Sequence, residues 1–216
     1  MRYTKVLFDL DGTLTDPAIG ITDSIMYALK KFGMSVNDRS ELYRFIGPPL
    51  LESFEKFCGL SHDDARLAVK YYREYYSVDG MFENSVYEGM DNMLYKLKHA
   101  GCDLYVATSK PEVYAVEILE HYGLAKYFTH IAGSELDGTR VKKEDVIEYS
   151  LGLNNIDDLE NTVMIGDRKY DIVGAKKCGL KSIGVLFGYG SRQELEDAGA
   201  DALAATVDEI QAIILG

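Results

Sequence analysis

The sequence predicts an α/β fold: a doubly wound, Rossmann-like parallel sheet with a small helical cap domain inserted after its first strand. Short apolar, β-prone runs alternate with helical patterns along most of the chain. Three of those runs end in polar clusters, DLDGT, TSK and GDRKYD, and ligands of open parallel sheets sit at the carboxyl ends of strands. The interval from Asp11 to Thr108 far exceeds the dozen or so residues (about 12) of a minimal strand–helix–strand crossover, and its front half reads helical.

Lys5-Val6-Leu7-Phe8 is an apolar run closed by an Asp/Gly cluster, the pattern of a buried strand. The same reading fits Asp103 to Ala107, His130 to Ala132, Thr162 to Ile165 and Ser182 to Leu186. Between them, Glu88 to His99 carries Met90, Met93, Leu94 and Leu97 on one helical face. Glu112 to His121 follows Pro111 at a helix start, and Lys143 to Ser150 and Asp171 to Cys178 are further helices. Inside the long interval, Ile19 to Phe32, Leu50 to Phe57 and Asp63 to Tyr76 are helical by apolar spacing. The expected division is therefore 1–15 with 87–216 as the α/β core and 16–86 as the helical cap. Tyr71, Tyr72, Tyr75 and Tyr76 are expected to pack between cap helices. The predicted strand order is 3-2-1-4-5, which sets the ends carrying Asp9, Thr108 and Asp167 side by side.

The chain has 216 residues, 47 % of them hydrophobic, enough for a packed core. Its 23 basic and 35 acidic residues give −12, which argues against a duplex nucleic acid partner but not against a small anion held by a metal ion and local cations. Cys58, Cys102 and Cys178 form no metal-ligand spacing and read as reduced thiols. The four histidines are scattered and suggest no metal site. The first apolar run is too short for a signal peptide, and no stretch has the length of a membrane span, so a cytoplasmic location is expected.

Asp9 and Asp11, two apart just past a strand, can share one face and meet one ion or substrate; the same pair also reads as a strand-end turn. Gly12 permits a tight turn or a close backbone approach. Asp167 offers a hard-cation ligand and Asp171 lies four residues on, or both serve a helix N-terminus. Thr108 and Ser109 would open a helix, as a phosphate cradle or as simple caps. Lys143, in TRVKKE, reads by itself as a surface lysine. Arg44 and the Gly47-Pro48-Pro49 turn are the cap positions that could reach a substrate or be plain surface and connector. Gly188-Tyr189-Gly190, after the last strand, reads as a plain turn, or else resembles a loop near the active site of the family whose motifs follow.

Taken in order, DLDGT, VATSK, Lys143 and IGDRKYD resemble the four motifs of the haloacid dehalogenase-like hydrolase superfamily, from residue 5 to about residue 190. Ile19 to Phe32 and Phe45-Ile46-Gly47-Pro48-Pro49-Leu50 resemble its phosphoglycolate phosphatase and bacterial 5′-nucleotidase branch. The resemblance implies an Mg²⁺-dependent phosphatase with Asp9 as nucleophile and Asp11 as acid and base. It implies Asp9, the Asp11 carbonyl and Asp167 as metal ligands, with Asp171 supporting the metal or touching it through water. Thr108, Ser109, Gly12 and Lys143 would bind the phosphoryl group. An acid at Asp11 argues for phosphoryl transfer over dehalogenation, since halide leaves without a proton. Thr13, where phosphomutases of this type more often carry valine, hints at hydrolysis. The expected substrate is a small phosphorylated metabolite, phosphoglycolate first and a nucleoside 5′-monophosphate second, acted on by a monomer or weak homodimer without nucleic acid or membrane. The rivals are a sugar phosphomutase and an inactive binding or regulatory homologue.

Overall fold

The computed structural model describes residues 2–216. The first apolar run forms β1 (Lys5–Phe8), and Val6, Leu7 and Phe8 are fully buried. Strand β2 is Thr15–Asp16 and β3 is Ser85–Val86, two short strands that form a separate ribbon. The main sheet adds β4 (Asp103–Pro111), β5 (His130–Ser134), β6 (Thr162–Gly166), β7 (Lys181–Val185) and β8 (Ala202–Ala204). Its order is β5-β4-β1-β6-β7-β8, and every neighbouring pair is parallel. The first five strands from the β5 edge follow the expected order. The sixth, β8, is an addition: Ala202-Leu203-Ala204 has no β-branched or aromatic residue to mark it as a strand.

The chain divides into two compact units, Met1–Asp16 with Val86–Gly216, and Pro17–Ser85. In the first, the helices are α4 (Met90–His99), α5 (Glu112–His121), α6 (Lys143–Leu153), α7 (Lys169–Lys177), α8 (Arg192–Ala198) and α9 (Val207–Leu215). Leu7, Tyr105, Ala107, Ala132 and Met164 of the sheet pack against Val146 and Ile147 of α6 and Ala175 of α7. Successive strand residues alternate faces, so Val6 and Phe8 are buried on the side opposite Leu7. The α4 stripe Met90, Met93, Leu94 and Leu97 is buried throughout. Among the described residues no helix is long and apolar enough to cross a membrane.

The second unit holds α1 (Ala18–Lys31), α2 (Leu50–Cys58) and α3 (His62–Tyr76). Ile21, Ile25, Ala28 and Leu29 form the buried face of α1. The four tyrosines of α3 serve packing. Tyr72 and Tyr76 stack at 5.1 Å, Tyr75 meets Tyr27 at 5.8 Å, and Tyr71 meets Phe32 at 6.0 Å. Ring contacts of this kind add to area burial.

Helix α1 lies so close to the turn at Gly80–Phe82 that a Cβ on Gly20 would stand 1.7 Å from the Gly80 carbonyl oxygen. That neighbour is backbone and cannot swing away. Gly20→Ala should therefore destabilise the protein by about 1–3 kcal/mol, the usual range for overpacking, despite alanine's better helix propensity. A thermal melt of the variant beside the parent checks this; an unchanged or higher Tm would contradict it.

Candidate active site

The chain leaves β1 through Asp9, whose N–H still donates to the Ile165 carbonyl at 2.9 Å and so continues the β1–β6 ladder. A tight turn follows: the Leu14 and Thr13 N–H groups donate to the Leu10 carbonyl, and the Gly12 N–H to that of Thr15. Leu10 and Leu14 are fully buried and anchor the turn. Asp9 Oδ1 accepts from the Leu10 N–H at 2.8 Å and lies 2.8 Å from Lys143 Nζ. Gly12 has φ +82°, and a Cβ there would stand 2.3 Å from Asp167 Oδ2. The position excludes a side chain by conformation and by space.

Thr108, Ser109 and Lys110 do not open a helix, contrary to the sequence expectation. Strand β4 continues, with a register irregularity, to Pro111, and α5 starts at Glu112 with no side-chain cap. A residue before proline is driven out of the α region, which keeps Lys110 extended. Thr108 and Lys110 are buried while Ser109 is only half-buried, as alternation along a strand requires. Thr108 Oγ1 accepts from the Lys110 N–H at 3.3 Å, and the Ser109 carbonyl accepts from Ser134 Oγ at 2.8 Å. The Lys110 ammonium reaches Asp11, 2.7 Å from Oδ1 and 2.5 Å from Oδ2. The sequence reading missed Lys110 as a site residue. The signal was present, since X-Pro predicts extended backbone and places it on the face of Thr108.

Lys143 is the first residue of α6 and is 4 % exposed, so it is not the surface lysine that its polar neighbours by themselves suggest. Its Nζ lies 2.8 Å from Asp9 Oδ1 and 2.8 Å from Asp171 Oδ1, and it donates to the Ala107 carbonyl at 3.0 Å. Arg140, at φ 54°, holds the preceding loop to the sheet. Its Nε donates to the Gly133 carbonyl at 2.8 Å and its guanidinium lies over the Tyr149 ring.

Asp167 is fully buried beyond the end of β6. Its Oδ2 accepts from the Tyr189 N–H at 2.7 Å, whereas Oδ1 is buried with no hydrogen-bond partner. Asp171 sits in the first turn of α7, where Oδ2 accepts the Arg168 N–H at 3.0 Å, a helix-capping bond, while Oδ1 faces Lys143. A Cβ on Gly166 would stand 2.1 Å from Asp171 Cγ. Arg44 and Gly47 belong to the helical unit. The exposed Arg44 guanidinium packs over the Phe57 ring at 4.8 Å, and Gly47 takes φ 104° in the turn before α2.

Burial pushes the Asp167 carboxyl well above the usual range, and Asp171 and Asp9 push it the same way. Burial likewise raises Asp171, to about 6, with Lys143 pulling against it. Burial raises Asp11 too, opposed by Lys110. At Lys143 burial works against the charge, but Asp171 and Asp9 outweigh it and hold the ammonium above its ordinary value. Carboxylate oxygens of Asp9, Asp167 and Asp171 lie within 4.8 Å of one another. A hard divalent cation fits this donor set: all ligands are oxygen, the charge is negative, and the buried Asp167 Oδ1 lacks a partner.

Residues 6–185 match the family model described as haloacid dehalogenase-like hydrolase. This chain belongs to that family. Among curated relatives, a 5′-nucleotidase of Pseudomonas aeruginosa is 47 % identical over 195 residues, covering 90 % of this chain and 88 % of its own. The tyrosine-protein kinase PtkA of Mycobacterium tuberculosis is 39 % identical, over 95 % of this chain and 70 % of its own. A phosphoglycolate phosphatase of Neisseria meningitidis is 32 % identical, over 86 % and 81 %. Among solved structures, a predicted phosphatase of Clostridium acetobutylicum superposes with a TM-score of 0.96 at 50 % identity, covering 100 % of this chain and 99 % of that one.

Lys143→Met removes the cation shared by two buried carboxylates. Breaking such a pair typically costs about 3–5 kcal/mol. Without the ammonium, nothing opposes the burial that raises the native pKa of Asp171, which moves further above the unfolded value. A carboxyl raised in the native state weakens folding once pH exceeds its unfolded pKa, and the loss disappears as pH falls and the native acid binds its proton. The Tm deficit of Lys143→Met in metal-free buffer should therefore be larger near about pH 7.5 than near about pH 5. A deficit independent of pH would contradict this account.

Proposed function

We propose that this protein is an Mg²⁺-dependent phosphomonoester hydrolase that works through an aspartyl phosphate on Asp9. The observation that carries the reading is the convergence of Asp9, Asp167 and Asp171 on one buried point beside Lys143. Such a cluster calls for a cation and leaves a carboxylate poised against phosphorus. Asp9, the Asp11 main-chain carbonyl and Asp167 would hold the Mg²⁺, which when bound screens charge on the phosphate. Asp171, with one oxygen on Lys143 and the other on the Arg168 N–H, acts as the anchor of Lys143.

Leu10 N–H and Lys143 both engage Asp9 Oδ1 and so orient the carboxylate that attacks phosphorus. Its lone pair forms the bond to phosphorus as the ester P–O bond breaks. The departing alkoxide takes a proton from Asp11, whose carboxyl is raised by burial against the pull of Lys110. Asp11 then accepts a proton from water, which attacks phosphorus and returns Asp9 as a carboxylate with release of phosphate. Thr108, with N–H groups near Gly12 and Ser109, donates to the phosphoryl oxygens, and Lys143 offsets their charge.

A nucleoside 5′-monophosphate ranks before phosphoglycolate as substrate, since the 5′-nucleotidase relative is the more similar of the two relatives named for these esters. Activity on nucleoside 5′-monophosphates should vanish in excess chelator, return with Mg²⁺ and return poorly with Ca²⁺, which prefers more ligands and longer bonds. Phosphate release with kcat/KM for both ester classes measures this. Full turnover in chelator would sink the metal reading, and a preference for phosphoglycolate would reverse the ranking.

Asp11→Ala tests the acid and base roles. A nitrophenolate leaves without a proton, so the variant given nitrophenyl phosphate should release a burst near one equivalent and then turn over slowly. Alkyl esters should lose about 10²–10⁴-fold in the first step. Rapid-quench kinetics should find phosphate retained on Asp9. With no burst and no phosphoprotein, the assignment fails.

A further inference from the structure

The loop Gly188-Tyr189-Gly190 follows β7 and presses on Asp167 from both sides of Tyr189. A Cβ on Gly188 would stand 2.3 Å from the Gly12 carbonyl oxygen and 2.4 Å from Asp167 Cβ. A Cβ on Gly190 would stand 1.9 Å from the Asp167 carbonyl oxygen. The only side chain among these three residues is that of Tyr189, and its phenol donates to Asp16 Oδ1 in β2. Its main-chain N–H donates to Asp167 Oδ2 at 2.7 Å. Next to it, Phe187 meets Tyr87 edge-on at 4.8 Å. One residue thus spans from β2 to the acid beyond β6.

We propose that Tyr189 is a positioning residue for Asp167: the phenol–Asp16 bond fixes the loop, so that its N–H holds Oδ2 and leaves Oδ1 for the cation. This rests on the reading of Asp167 as an Mg²⁺ ligand. The physics is that of outer-sphere partners generally. A ligating carboxylate rotates about its Cβ–Cγ bond unless its second oxygen is tied, and loss of such a tie typically weakens metal binding about 10–100-fold. Here the tie is a main-chain N–H, which substitution cannot delete. The side-chain bond that sets the position of that N–H can be deleted.

The test uses the full chain stripped of metal, as the parent protein, Tyr189→Phe, Asp16→Ala and the double variant. Mn²⁺ affinity is read by electron paramagnetic resonance and Mg²⁺ affinity by calorimetry, with Tm recorded in chelator. Each single variant should bind both ions roughly tenfold more weakly, with little change in the Tm of the metal-free protein. The double variant should be no weaker than the singles, because both remove one bond. At saturating Mg²⁺, kcat should recover while substrate KM stays at the parent value. Affinity within about twofold of the parent in both singles would overturn the proposal, as would losses that simply add in the double variant. A fall in affinity matched by a proportional fall in Tm would show a structural role and overturn it as well. If the parent binds neither ion, the metal reading of Asp167 fails and takes this proposal with it.

Discussion

The ammonium of Lys143, shared between Asp9 and Asp171, is the interaction on which the interior of this site depends. Three carboxylates are buried at the carboxyl end of a parallel sheet, and each ionised group taken from water costs several kcal/mol. One lysine offsets part of that cost and fixes the spacing of two of the acids. It can do so because it begins α6, a helix packed on the sheet through Val146 and Ile147, and because the Ala107 carbonyl accepts one of its hydrogen bonds. The penalty that remains falls on Asp167, which has one oxygen tied and one without a partner. The glycines follow from the same crowding. Gly12, Gly166, Gly188 and Gly190 each stand where a methyl group would meet Asp167 or Asp171 or the backbone beside them.

The fold was legible because a parallel sheet writes its strands as unbroken apolar runs, and this chain has five of them, three closed by polar clusters. Strand β8 was not legible, since an alanine-rich triplet acquires its strand geometry from β7 and not from its own residues. The carboxylates were legible for a similar reason: a strand end followed by Asp, Gly and a hydroxyl residue is short, local and distinctive. The lysines were less so. In sequence, Lys143 lies among polar residues, and only the packing of α6 shows that its ammonium turns inward. Lys110 was hidden by the assumption that TSK opens a helix, although Pro111 spoke for extended chain. The Gly188-Tyr189-Gly190 segment stood out as a turn or site loop, but nothing in it marked Tyr189 itself, because its role lies in what its main chain touches.

The helical unit is built on different physics from the α/β unit. Its close approaches are a glycine against backbone at Gly20 and Gly80, and paired rings along α3. Arg44 and Gly47 each have a local reason for being as they are, a ring to lie over and a turn to make. The family motifs, by contrast, all lie in the α/β unit, on segments that the sheet brings together from widely separated parts of the chain. The division of labour is thus written in the kind of constraint each unit carries: shape in one, charge in the other.

The position of β1 has a consequence for how the chain is made. Strand β1, the earliest of this sheet in chain order, lies in its middle, and both of its neighbours, β4 and β6, come much later. A nascent chain therefore carries Val6, Leu7 and Phe8 and the acid that follows them with no neighbouring strand of the sheet until β4, at Asp103–Pro111, has been made. Non-local pairing of this sort is slow, because loop-closure entropy is lost before contacts are gained. The helical unit lies wholly between β1 and β4 in the chain. Compaction of that segment, Pro17–Ser85, shortens the effective tether that the sheet has to close.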